Sequence, residues 1–174
     1  ISPFDSTIKV YADSLGWDWR LLASMIYQES GFLPDTMSWA GAIGLMQVMP
    51  ETGAQFGANN LYDVNQNLKA GMGYIEWLQE LWSELPDTSE RVKFVLGSYN
   101  VGQGHIIDAR RLADKYGDDP DIWEDNVEKW LLRKAQRQYY NDEVVQYGYC
   151  RGSEPVAYVE EIMERYRHYL KLLP

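Results

Sequence analysis

The chain has little with which to bind a metal or close a disulfide: its 174 residues include two histidines, His105 and His168, and one cysteine, Cys150. A lone thiol forms no internal disulfide, and two imidazoles cannot assemble a zinc-type ligand cluster, so no metal and no other cofactor is expected. Positive charge is also scarce. Sixteen Lys and Arg stand against 26 Asp and Glu, a net charge of -10, whereas a nucleic-acid binder shows a basic excess or stripe. Nucleic acid is therefore not an expected partner. No stretch approaches the roughly 18 uninterrupted apolar residues of a membrane span, so the chain is not expected to cross a membrane. The start, Ile1-Ser2-Pro3-Phe4, has neither an initiator Met nor a basic-then-apolar leader, which leaves the compartment open. No Ser- or Gly-rich linker, repeat or low-complexity segment interrupts the chain, and its length fits a single domain over 1–174.

Aromatic residues, by contrast, are abundant at 14%, with seven Trp and thirteen Tyr. Core packing accounts for a ring on a helical face. In a cleft, flat rings with a polar edge also suit the apolar faces of sugars.

Helical periodicity dominates and strand alternation is nearly absent, so the expected class is all-α with at most a very small β-hairpin. Asp18 can cap a helix from Trp19 to Ser30, ended by Gly31. Ser38 to Gln47 holds two glycines, Gly41 and Gly44, in small-residue company and reads as a loop with a short hairpin. Pro50 suits the first turn of a short helix to about Phe56. A longer helix follows Asp63 or Asn65, with Leu68, Met72, Ile75 and Leu78 or Trp82 on one stripe. Gly71 and Gly73 lie inside it at about 1 kcal/mol each relative to Ala, which predicts close packing there. Asp87 with Glu90 resembles a capping box opening a helix to about Asn100. After Val101-Gly102-Gln103-Gly104 another helix runs to about Tyr116. Asp119-Pro120 predicts a helix start for the segment with Trp123, Val127, Trp130 and Leu131. Residues 138–151 are Tyr-rich and irregular, and a last helix from Ser153 carries Val159, Ile162, Tyr166 and Leu170.

Glu29 stands out within this pattern. It shares one face with Leu22 and Ile26, at i+7 and i+3, at the end of its helix. A poorly solvated carboxylate there stays protonated more readily and can act as a general acid. The plain alternative is a Glu paired with an Arg or turned to solvent. The glycine-rich loop that begins nine residues later looks like a substrate-lining wall. It lacks the Gly-Lys-Ser/Thr ending of a phosphate-binding loop and the spacing of a dinucleotide fingerprint.

Glu29-Ser30-Gly31, then Ser38 with Gly41-Ala42-Ile43-Gly44-Leu45-Met46-Gln47, then Tyr99-Asn100-Val101-Gly102 resemble, in order and spacing, the motifs of the family 1 (soluble-lytic-transglycosylase) catalytic domain. Tyr147-Gly148-Tyr149-Cys150-Arg151-Gly152 with Tyr158-Val159-Glu160 is similar to the C-terminal part of the F-type membrane-bound members. The chain departs from the pattern at three places. Ser98 replaces an Ala, Val156 stands where many relatives carry Arg, and Cys150 replaces a small residue.

The resemblance implies a lysozyme-like, predominantly helical fold with a cleft for peptidoglycan, and Glu29 in the catalytic position. It also implies an envelope or periplasmic setting with outer-membrane attachment of a longer protein, an N-terminal solute-binding-like domain outside this stretch, and a monomer. The family chemistry uses one carboxylate, first as acid and then as base, and yields a 1,6-anhydromuramic acid end. Ser38, Met46, Gln47, Tyr99, Asn100, Glu154 and Tyr158 become candidate substrate-binding residues. For each of them packing or capping is the alternative, and for Asn100 that is a helix cap. Two rival functions stay open: a muramidase that hydrolyses the same bond with Asp35 as second carboxylate, and a glycan-binding module without catalysis.

Overall fold

A computed structural model describes residues 1–173, and their regular structure is helical apart from two isolated bridges. The helices are α1 (Asp5–Leu15), α2 (Trp19–Ser30), α3 (Pro50–Gln55), α4 (Val64–Leu81), α5 (Thr88–Val101), α6 (Gln103–Lys115), α7 (Glu128–Arg133), α8 (Arg137–Tyr140) and α9 (Ser153–Leu172). Two compact units are distinguished: Ile1–Trp77 with the chain from Glu161 onward, and Leu78–Glu160. Helices α4 and α9 each have residues in both.

In the first unit, α2 follows its local signals. The Asp18 carboxylate accepts from Arg20 N at 2.8 Å, and Gly31 closes the helix in the left-handed region with its N–H on Tyr27 O. Residues 5–15, to which the sequence reading assigns no element, form α1. It buries Ile8, Ala12 and Leu15 at helical spacing and ends at a left-handed Gly16. The loop after α2 contains the expected minimal pairing. Ile43 bridges both Met37 and Val48, and its N–H and C=O exchange 3.0 Å bonds with Val48.

Helix α4 explains its own glycines. A Cβ on Gly71 would lie 2.5 Å from Met46 Sδ and 2.9 Å from Met46 Cβ, so the missing side chain is the space Met46 occupies. Asn67, one turn earlier and fully buried, holds the same loop. Its Nδ2 donates to Ile43 O at 2.8 Å and Leu61 O at 2.9 Å, and its Oδ1 accepts from Met46 N at 2.9 Å.

The second unit is built on aromatic packing. Phe94 of α5 lies 5.4 Å from the Trp82 ring and 5.5 Å from the Trp123 ring, and Trp82 Nε1 donates to the buried Ser98 hydroxyl at 3.0 Å. Asp87 caps α5 through Ser89 N and Glu90 N. Glu90 does not complete the box. Its carboxylate takes Trp123 N at 2.7 Å and Lys93 Nζ at 2.7 Å, so it joins two segments instead. The helix predicted from Asp119-Pro120 is likewise corrected. Glu124 is extended and Asp125 left-handed at φ 57°, and regular helix begins only at Glu128. Asp119 accepts from Asp121 N, capping a turn rather than a helix.

Asn67→Ala would remove the bonds to Ile43 O, Leu61 O and Met46 N, and of these Ile43 O keeps its bond from Val48 N. Unsatisfied buried groups cost about 1–3 kcal/mol each, so the unfolding free energy should fall by about 3 kcal/mol or more. Asn59→Ala, at an exposed position of the same unit, should change it by less than about 0.5 kcal/mol in the same urea titration.

Candidate active site

Glu29 occupies the last turn of α2, where a face that is fully buried at Leu22 and Ile26 comes to the surface. Its side chain is half-buried rather than enclosed, because Gly31 ends the helix two residues later and the chain turns away. The next residue, Ser30, donates its hydroxyl to Leu45 O at 2.8 Å. That bond ties the end of the acid's helix to the glycine-rich loop. From the other side α9 grips the same turn. Arg165 Nη1 donates to Gln28 Oε1 at 2.9 Å and to Ser24 O at 3.4 Å, and its guanidinium lies 4.5 Å from the Tyr27 ring centre. Gln28 Nε2 in turn donates to Glu161 at 2.7 Å. The last turn of α2 has no basic residue of its own, so Arg165 supplies the cation that suits a helix C-terminus.

The loop candidates divide by burial. The Ser38 hydroxyl accepts from Ala42 N at 3.0 Å and its N–H donates to Ala42 O, so Ser38 shapes a tight turn. Gln47 is left-handed at φ 47°, and its Nε2 donates to Gly44 O at 3.0 Å. Met46 is fully buried against Gly71. Asp35 is exposed in a turn.

Tyr99, Asn100, Glu154 and Tyr158 belong to the second unit. Tyr99 is half-buried and Asn100 exposed in the last turn of α5. Asn100 is helical and does not end α5. Gly102 does, with its N–H on Ser98 O at 2.9 Å. Glu154 is exposed in the first turn of α9, and Tyr158 is buried one turn later.

A charged cluster in this unit carries no local mark in the sequence. Lys134 and Asp108 are both 0% exposed and pair at 2.7 Å. The Asp108 carboxylate also accepts from Gln146 N at 2.9 Å and Tyr147 N at 2.8 Å, while Lys134 Nζ sits 2.8 Å from His105 Nδ1. One buried carboxylate thus pins two consecutive residues of the Tyr-rich segment. The Tyr147 ring lies over Gly104, where a Cβ would approach it to 2.5 Å. Burial pushes the Lys134 ammonium below the ordinary lysine range, opposed by Asp108. Burial, with the Lys134 charge beside it, holds His105 below the ordinary histidine range. Burial raises the Cys150 thiol, which makes it an inert packing group. Asn67, Arg165 and Lys134 gave no signal in the sequence because their partners are remote along the chain. Trp39, fully exposed beside Ser38, was visible only as one of seven tryptophans.

Residues 6–122 match the family described as the transglycosylase SLT domain. The chain is 39% identical over 163 residues to the membrane-bound lytic murein transglycosylase F of Desulfosudis oleivorans, covering 94% of this chain and 35% of that protein. It is 40% identical over 163 residues to the protein of that name from Marinobacter nauticus, covering 94% and 32%. With the Haemophilus influenzae protein it shares 43% over 145 residues, covering 83% and 30%. The chain therefore spans about a third of the length of these relatives. Among solved structures, an inactive variant of the lytic transglycosylase Slt from Pseudomonas aeruginosa superposes with a TM-score of 0.61 at 20% identity, covering 98% of this chain and 25% of that one. The 70 kDa soluble lytic transglycosylase of Escherichia coli gives 0.60 at 21% identity, covering 96% and 24%. These two likenesses are of fold, and they agree with the helical, lysozyme-like class expected from the sequence.

Two outcomes test the cluster of the second unit. Lys134→Met would leave the buried Asp108 with only the more distant Arg111, at 3.5 Å, as a cation and should cost about 3 kcal/mol of unfolding free energy. For His105 the folded-state pKa lies below the unfolded value of 6.5, so the unfolded chain takes up the proton first as pH falls. The stability of the wild type relative to His105→Gln should be full above about pH 6.5 and decline as the pH drops through that value. Urea midpoints across the range measure both effects.

Proposed function

The chain belongs to the transglycosylase SLT domain family, and on that footing we propose that it is a peptidoglycan lytic transglycosylase with Glu29 as its single acid and base. It cleaves the β-1,4 bond between N-acetylmuramic acid and N-acetylglucosamine. Glu29 gives its proton to the glycosidic oxygen as the C1–O bond breaks, and the muramic acid's own N-acetyl group supports the cationic carbon. The C6 hydroxyl oxygen then bonds to C1, and its proton passes to the Glu29 carboxylate. The acid is restored, no water is consumed, and the product carries a 1,6-anhydro ring. Both partners of the second step lie in one bound sugar, which supplies proximity without a second carboxylate.

The observation that carries this reading is the seat of Glu29: the end of a buried helical face, half-open to a ligand, on a turn fixed by Ser30 to the glycine-rich loop and by Arg165 to α9. In this reading Ser38 and Gln47 meet acetamido groups, and Tyr99 and Asn100 meet the sugars at the reacting bond. Glu154 contributes from the surface of α9. Met46 acts through the glycine-rich loop it is buried beneath, and Tyr158 is buried in α9. In this proposal residues 1–174 act as one catalytic domain and as a monomer. The relatives' name, membrane-bound, supports action in the cell envelope; a periplasmic setting with outer-membrane attachment is the finer part of this proposal. Among the described residues no helix is long and apolar enough to cross a membrane.

Hydrolysis with Asp35 as second carboxylate is the nearest competitor, and the exposed turn that holds Asp35 disfavours it. Mass spectrometry of digested peptidoglycan separates the two, since the anhydro product is lighter than the hydrolytic one by one water; reducing muramic acid ends alone would overturn the proposal. Glu29→Gln should lower turnover by about a hundredfold to ten-thousandfold while binding of insoluble peptidoglycan persists. Retained lytic activity in that variant excludes Glu29 from the role, and lost binding points to a structural one.

A further inference from the structure

Trp39 is the one large side chain of the glycine-rich loop that packs on nothing: it is 100% exposed. Its backbone is nonetheless fixed. Gly41 N donates to Ser38 O at 3.0 Å, which closes a four-residue turn with Trp39 at its second position. Ala42 N donates to the Ser38 hydroxyl, and Ser38 N to Ala42 O at 2.9 Å, tying down both strands of the turn. Turn corners favour Gly, Pro, Asn, Asp or Ser, each for a backbone reason that tryptophan does not share. The fold therefore gains nothing from this indole, and a rigid turn holds it in water.

The surroundings select what it can meet. From Leu21 to Leu68 the sequence contains no Lys, Arg or His, while Glu29, Asp35, Glu51 and Asp63 are acidic. Phosphate, an anionic lipid headgroup or a peptide carboxylate would find no cation in this stretch. A neutral ligand with an apolar face and a hydrogen-bonding rim is the chemistry that remains, and a pyranose ring has both. Nearby, Tyr62 donates its hydroxyl to Met37 Sδ at 3.7 Å, so a second exposed aromatic of the same amphipathic kind touches the residue two before Trp39. We infer that Trp39 is a stacking platform for a neutral N-acetylhexosamine unit of the glycan strand, a contact to the sugar backbone rather than to the peptide stems. The inference rests on the proposed function for its choice of glycan. The Ser30 to Leu45 bond places the platform and the acid on one hydrogen-bonded segment.

The test uses Glu29→Gln protein, which does not consume the ligand, with and without Trp39→Ala or Trp39→Tyr. The probes are soluble N-acetylglucosamine oligomers, peptide-free glycan strands, and phosphatidylglycerol vesicles. Trp39→Ala should weaken both saccharides by about fivefold to tenfold, and Trp39→Tyr should recover most of the loss. Affinity should hold when salt rises to about 0.5 M, since no charge pair is involved. Unfolding midpoints should not move, because the side chain touches nothing. With Glu29 intact, Trp39→Ala should raise KM and leave kcat unchanged. Unchanged saccharide affinity in Trp39→Ala overturns the inference, as does a loss seen on the vesicles and not on the saccharides. The digestion products of the wild type report separately on the reading beneath it. Anhydro ends with unchanged affinity in Trp39→Ala sink the platform alone, whereas no saccharide binding and no anhydro ends sink both.

Discussion

The loop that follows α2 depends on the buried carboxamide of Asn67. With only two isolated bridges, this loop has no ladder to satisfy its backbone, and buried N–H and C=O groups without partners are too costly to leave. Asn67 has two donor hydrogens and an acceptor oxygen in one plane, and it meets three backbone groups from Ile43, Met46 and Leu61 at once. A carboxylate offers no donors and an aliphatic chain offers neither role. The positions of Ser38, Met46 and Gln47 follow from that grip, as does the seating of Met46 on Gly71. The same α4 turn thus fixes the loop by hydrogen bonding and by shape.

The second unit solves a similar problem with charge. The segment after α8 has little regular structure, and the Asp108 carboxylate receives two of its consecutive N–H groups while Lys134 neutralises it. Buried ion pairs add little net stability compared with well-packed apolar groups, because desolvation offsets the Coulomb gain. What this one adds is direction, since a carboxylate accepting two backbone N–H groups sets the local path of the chain. Met46 on Gly71 and Tyr147 on Gly104 show the complementary device, in which a helix gives up a Cβ so that another segment can lie flat on its backbone.

What the sequence made legible was local. Asp18 and Gly31 bound α2, Pro50 opens α3 and Ser153 begins α9, because caps act over three or four residues. The stripe Leu68, Met72, Ile75, Leu78 and Trp82 is buried throughout, as its period requires. The misreadings came where a local signal had a distant competitor. Glu90 carries the pattern of a capping box, yet Trp123 N takes its carboxylate. Asp119-Pro120 looks like a helix start, but the following turn passes through a left-handed Asp125. At the candidate site Glu29 was legible because its helical position and its motif are contiguous in sequence. Asn67, Arg165 and Lys134 were not, since nothing local distinguishes a carboxamide or cation that will be buried from one that will be solvated.

The Ser30 to Leu45 bond also bears on how much the loop can vary. It closes a ring of chain at the base, so residues 32 to 43 form a cassette whose ends are fixed independently of its interior. Closing a loop costs an entropy that grows only with the logarithm of its length, about 0.6 kcal/mol per doubling. A cassette of this kind can be lengthened, shortened or given a different tip while its base keeps its register. Glu29 on α2 and residues 32 to 43 are therefore separately changeable parts of one short stretch of chain.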